Sequence, residues 1–178
     1  MNHIDADGTL YTEGGLTVLR FERHLAHPAG KVWHALTDAE ALRHWFPQDV
    51  TADLRPGGKM LFTFRESGDY GGIPPFEGEV LECEPPRVLA YRWGTDLLRW
   101  ELQPAGDGCL LIFTDTLTER GKAARDGAGW HVCLDALQAW VDGAEPPAAD
   151  RWQQVHPGYV ELFGPEAATI GPPPSARR

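Results

Sequence analysis

No stretch of this chain stays apolar over the ~18 consecutive residues that a membrane-spanning helix requires, so insertion as a helix is not expected. The first residues, MNHIDADGTLYTEGG, are acidic and polar and lack the apolar centre of a secretory signal; a cytoplasmic location is the expectation. Basic clusters are missing too. With a formal net charge of −10 and no Lys/Arg run, the chain has no electrostatic footprint for nucleic acid or for an anionic membrane surface. Cysteine is sparse: Cys83, Cys109 and Cys133 are odd in number, scattered and without a CxxC, and read as small buried apolar residues. The histidines have no metal spacing, since His24 and His27 fall on a strand end and a helix start while His34 and His44 fall on different helices. HExxH, zinc-finger spacing, a phosphate loop and a nucleophile in a triad-like setting are all absent. Neither a metal nor a cofactor is expected.

What is present describes one domain. At 178 residues and 42% hydrophobic content, the chain can bury roughly two thirds of its unfolded surface. Arg125–Gly143 places Trp130, Leu134, Leu137 and Val141 in a narrow helical arc, with His131, Asp135, Gln138 and Asp142 on the opposite flank. Gly143 and Pro146–Pro147 stop it. Before it the period is mostly two. Gly8–Tyr11 and Leu16–Leu25 flank a Glu13-Gly14-Gly15 turn and predict a hairpin. Two short helices follow, one opened by Pro28 and one capped by Asp38 and ended by Pro47. Strands are then predicted at Val50–Leu54, Lys59–Arg65, Phe76–Cys83, Val88–Trp93, Leu97–Gln103 and Cys109–Leu117, the last covered on both faces. Ser67–Pro75 reads as a loop gating a cavity mouth. Beyond a Pro/Ala linker, Asp150–Gly164 carries Trp152, Val155, Tyr159 and Phe163 as two short helical pieces broken at His156-Pro157, and Pro165–Arg178 is expected to fray. Strands joined by short turns form an antiparallel meander, and the long helix is the element able to cover it.

The runs AHPAGKVWHALTDAEALRHWF, LRPGGKMLFTF, FEGEVLECEPPRVLAYRW and GWHVCLDAL, in that order, resemble the activator-of-heat-shock-ATPase-like branch of the START-like, helix-grip superfamily. The resemblance spans about Leu16–Gly143. It implies an α+β helix-grip fold: a curved antiparallel sheet of about six to seven strands wrapped on a long C-terminal helix, with two short helices after the first strand. Residues 1–15 are then an N-terminal arm, 16–143 the START-like domain and 144–178 an extension with short helices and a tail. It further implies a cavity between sheet and helix. The fold hosts lipid carriers, polyketide cyclases, hormone receptors and co-chaperone domains, so it does not by itself fix a function.

The expected cavity is aromatic. Phe62, Phe64, Tyr91, Trp93, Trp100 and Phe113 would face Trp130, Leu134 and Leu137, with Trp33 bordering the first helix; the same residues would equally fill a core. Period two also turns Asp115 and Glu79 inward, where a buried carboxylate has a raised pKa; as strand-end groups they would instead reach solvent or pair with Arg65, Arg92 or Arg99. His131 and Asp135, one turn apart, form either an oriented acid–base pair or part of a solvated face. The leading expectation is a carrier, sensor or sequestering protein for a small hydrophobic or aromatic molecule, more a binder than an enzyme. The alternatives are a cyclase or hydrolase acting in the same cavity, and an interaction module with an exposed patch at Trp152, Tyr159 and Phe163 that docks a protein partner or builds a homodimer.

Overall fold

The computed structural model describes residues 7–65 and 73–171. Strands β1 (Thr9–Glu13) and β2 (Leu16–Leu25) form the hairpin, turning through Gly14 and Gly15 at φ 57° and 81°. Two consecutive positive-φ residues match the right-handed twist of the flanking strands, which is why a Gly-Gly pair stands there. Helices α1 (Ala29–Thr37) and α2 (Ala39–Leu42) follow, the second capped by Asp38, whose carboxylate accepts from the Ala41 N–H at 2.9 Å. They carry the chain to the far edge of the sheet. From there β3 (Asp49–Ala52), β4 (Lys59–Thr63), β5 (Phe76–Glu84), β6 (Val88–Trp93), β7 (Asp96–Ala105) and β8 (Gly108–Leu117) return as a meander. The last strand pairs with β2, so the antiparallel order is β1-β2-β8-β7-β6-β5-β4-β3. The sheet has eight strands rather than six to seven because the arm strand zips along β2 and the short edge strand β3 along β4.

Helix α3 (Ala123–Asp142) lies across the concave face and ends at Gly143 in the left-handed region, φ 67°. Its sheet-facing stripe, Trp130, Leu134, Leu137 and Val141, is buried. No helix among the described residues is long and apolar enough to cross a membrane.

Two expectations at the C-terminus are corrected. The segment after the linker is one helix, α4 (Arg151–Phe163), with Pro157 inside it, and not two pieces. Pro157 lies on the exposed side while Val155, Gly158 and Tyr159 bury the other; tertiary contact along that side offsets the lost backbone bond. The residues after α4 do not fray at once. Ala167 is fully buried, and the Ile170 N–H donates to the Gly121 carbonyl at 3.0 Å. The rest of the tail, 172–178, and most of the expected Ser67–Pro75 gate lie outside the described residues.

Candidate functional site

The middle of the grip is filled. Phe62, Tyr91, Trp100, Phe113, Leu134 and Leu137 are no more than 3% exposed, and Trp45 and Phe46 from the segment after α2 wedge among them. Trp100 stacks on Phe113 at 4.0 Å between centroids, and Phe113 meets Trp130 edge-on at 4.7 Å. The indole N–H groups are satisfied: Trp45 donates to the Ala35 carbonyl at 2.8 Å, Trp100 to Tyr91 Oη at 3.1 Å and Trp93 to Gln48 Oε1 at 3.1 Å. Burial pushes the Tyr91 phenol far above its ordinary value. These rings form a packed core.

The open space lies beyond Trp130, at the end of the sheet where α3 begins. A cleft of about 670 Å³ is lined there by Phe64, Phe76, Trp93, Trp130 and, from α4, Trp152, with Gln48, Cys133 and Gln153 between them. Gly129 on α3 leaves one wall bare. At its polar end stand Asp96 from the start of β7, Lys122 from the 3-10 turn before α3, and Arg125 and Asp126 from the first turn of α3.

Asp115, on β8, lies beneath this end. It is fully buried; its Oδ2 accepts from the Trp130 indole at 2.9 Å, and its Oδ1 has no hydrogen-bond partner among the described residues. Burial, reinforced by the nearby Asp96 carboxylate, raises its pKa well above the ordinary 3.8. Burial raises Asp126 as well, against the opposing Arg125 guanidinium at 2.8 Å. Asp96 accepts from the Thr118 N–H and hydroxyl through Oδ1, at 3.1 and 3.2 Å, and from Lys122 through Oδ2 at 2.5 Å. The three carboxylates each offer an oxygen within 4.8 Å of the other two.

Of the residues predicted from the sequence, Phe64, Trp93 and Trp130 therefore line one cleft, with Asp115 fixing the last. Trp33 is half-buried against the core from α1 and away from the cleft. Glu79 is a correction: it is exposed. A bulge at Leu81 shifts the register so that Val80 pairs with Tyr91 but Cys83 with Leu89. The inward face thus changes from even to odd numbers within β5, and Glu79 falls outside. His131 is a second correction. It is 2% exposed rather than on a solvated flank, because α4 covers it. Its Nδ1 is 2.9 Å from Tyr159 Oη and its Nε2 is 3.2 Å from Arg151 Nη2. A guanidinium only donates, so in the neutral imidazole Nε2 accepts and Nδ1 donates; Nδ1 also stands 3.3 Å from Asp7 Oδ1. Tyr159 Oη also accepts from the Gly8 N–H at 3.2 Å, while Arg23 bridges Asp7 and Asp135. This network ties the N-terminal arm and α4 to α3. Asp96, Lys122, Arg125, Asp126 and Phe76 line the cleft without having been expected there from the sequence. Asp126 stands one helical turn before Trp130, a signal that was available; Asp96, at a turn, has no local signature.

Among curated proteins the chain has no match. A conserved protein of unknown function from Enterococcus faecalis, EF2215, is 22% identical with a TM-score of 0.72, over 89% of this chain and 92% of its own. CalU16 from Micromonospora echinospora is 24% identical with a TM-score of 0.66, over 88% of this chain and 95% of its own. The protein encoded by BPP1335 of Bordetella parapertussis is 28% identical with a TM-score of 0.66, over 89% and 87%. The sequence model of the family described as Activator of Hsp90 ATPase homolog 1-like protein matches residues 26–142. With most of its length matched and a sheet gripping α3, the chain belongs to this family and has its START-like, helix-grip fold.

Proposed function

We propose that this protein binds a small hydrophobic or aromatic molecule in the cleft beside Trp130, as a carrier, sensor or sequestering protein. The observation that carries this reading is a cleft of about 670 Å³ walled by Phe64, Phe76, Trp93, Trp130 and Trp152 and closed by charged groups at one end. Sites for small molecules are commonly ~300–1,000 Å³, largely apolar and furnished with a few polar anchors. A ligand that buries about 200 Å² of apolar surface here gains roughly 5 kcal/mol before ordering costs, at about 25 cal/mol per Å². Lys122, Arg125 and Asp126 would orient its polar group. Asp115 does not itself line the cleft; it accepts from the Trp130 indole and so supports that wall from behind. Trp152, Tyr159 and Phe163 pack against the core instead of forming an exposed patch, which leaves the interaction-module alternative without its expected surface.

Native mass spectrometry of the purified protein, followed by denaturation and identification of anything released, tests the proposal. A retained hydrophobic molecule supports it. A bare chain that also shows no thermal shift across a lipid and aromatic library sinks it, since ligand at ~100-fold excess over Kd adds about 2.7 kcal/mol.

A further inference from the structure

We propose that Asp96, Asp115 and Asp126 form a site for a hard divalent cation of the calcium class at the polar end of the cleft. Lys122 serves as the internal counter-cation when no ion is bound. The site needs no organic molecule in the aromatic part of the cleft, although it shares Asp126 and Lys122 with the polar end proposed for such a molecule.

The spacing comes first. Each carboxylate offers an oxygen within 4.8 Å of the other two. Oxygens on one calcium ion, at ~2.3–2.6 Å from it, stand at most ~5.2 Å apart, whereas magnesium at ~2.0–2.1 Å permits only ~4.2 Å. Separations of up to 4.8 Å come closer to the reach of the larger ion. The second observation is Asp115 itself. It is fully buried, its Oδ2 is fixed by the Trp130 indole, and its Oδ1 has no partner among the described residues. Leaving a carboxylate oxygen unpaired in such a place is costly, and a cation relieves it.

The charge count agrees. Three carboxylates face two cations, and among the described residues the direct ion pairs go to Asp96 and Asp126, from Lys122 at 2.5 Å and Arg125 at 2.8 Å, while Lys122 reaches Asp115 only through its field. Asp115 is left out of the direct pairs. Asp96 and Asp115 are at most 3% exposed, unlike the acidic clusters of an ordinary solvated surface. An ion has a way in, because Asp96 and Asp126 both line the cleft, and coordination positions on that side remain for solvent or a ligand oxygen. The ion must displace the Lys122 ammonium, whose flexible stem permits it to swing away. That competition weakens the site.

The test is a titration of the chelator-treated full chain with terbium(III), a calcium-sized ion whose emission is sensitised by nearby indoles. Trp130 donates to Asp115, and Trp93 lies 5.3 Å from Trp130. The expected result is saturable tryptophan-sensitised emission, displaced by calcium and poorly by magnesium. Asp115→Asn keeps an acceptor for the Trp130 N–H and should weaken terbium binding at least about tenfold. Lys122→Met should tighten it by removing the competitor. If Asp115→Asn fails to fold by near-ultraviolet circular dichroism, Asp126→Asn carries the same prediction. Absent emission, or emission of unchanged affinity in these Asp→Asn variants, overturns the site. Unchanged affinity in Lys122→Met overturns the role given to Lys122.

Discussion

Trp130 joins the core to the cleft through one hydrogen bond, its N–H to Asp115 Oδ2 at 2.9 Å, and the two substitutions of Asp115 should separate accordingly. Asp115→Ala leaves the indole N–H unpaired and a small void, so chemical denaturation should show a loss of about 2 kcal/mol. Asp115→Asn preserves the acceptor and should cost less than about 1 kcal/mol. Equal losses would mean that the hydrogen bond is not what holds Trp130. Asp7 gives a pH test. Burial raises its pKa, but hydrogen bonds from His131 and Arg23 together with their charges outweigh it, leaving the group below the ordinary 3.8. A depressed native pKa contributes stability that is present above the unfolded value and lost as pH falls through the native one. The wild type should therefore lose stability more steeply than Asp7→Asn as pH drops below 3.8; parallel pH profiles would contradict the network. At this scale the sequence was only partly legible. Trp130 and Leu134 declared their face by spacing, but Glu79 was misplaced because the bulge at Leu81 depends on how β5 pairs with β6. Asp96 owes its burial to β7 and to Thr118 and Lys122, which lie more than twenty residues along the chain, and no local pattern encodes that.

Between elements, close approach sets the limits. A Cβ on Gly78 of β5 would stand 2.3 Å from the Arg92 carbonyl of β6 and 2.8 Å from the Phe62 ring. Gly78→Ala must therefore spread two strands, and a loss of about 1–3 kcal/mol is expected in equilibrium unfolding; an unchanged midpoint would show that the strands separate easily there. On the other side of α3, Tyr159 anchors α4 by a fully buried ring and two hydrogen bonds. Tyr159→Phe keeps the ring, removes the partner of the Gly8 N–H and leaves His131 Nδ1 with only its longer contact to Asp7 at 3.3 Å, so about 1–3 kcal/mol should be lost. Hydrogen exchange should rise together in the arm and in α4; a rise confined to α4 would disconnect the arm from the network. The strands, the Asp38 cap and the Gly143 stop were all readable, since each is decided by local periodicity or cap chemistry. The continuity of α4 was not. Its pattern is interrupted at His156-Pro157, and only burial of Val155 and Tyr159 against α3 overrides the proline.

For the molecule as a whole, the cleft of about 670 Å³ is at the end of the grip and not at its centre. Residue periodicity finds apolar faces, but whether facing rings meet or leave a gap depends on how far α2 and its following turn push Trp45 and Phe46 inward. Six predicted lining residues thus became core, while the wall contributed by Trp152 lay beyond the segment that resembled the family. Gly129 offers a direct way to close the cleft. A Cβ there meets only the Trp152 indole nitrogen within 4 Å, at 4.0 Å. Gly129→Leu should fill the space while its helix propensity adds about 0.8 kcal/mol. The decisive measurement is a thermal-shift screen of lipids and aromatic compounds run in parallel on the wild type and Gly129→Leu. At least one compound should stabilise the wild type and leave the filled variant unmoved. Equal shifts in both proteins, or no shift in either, would contradict a ligand in the cleft beside Trp130.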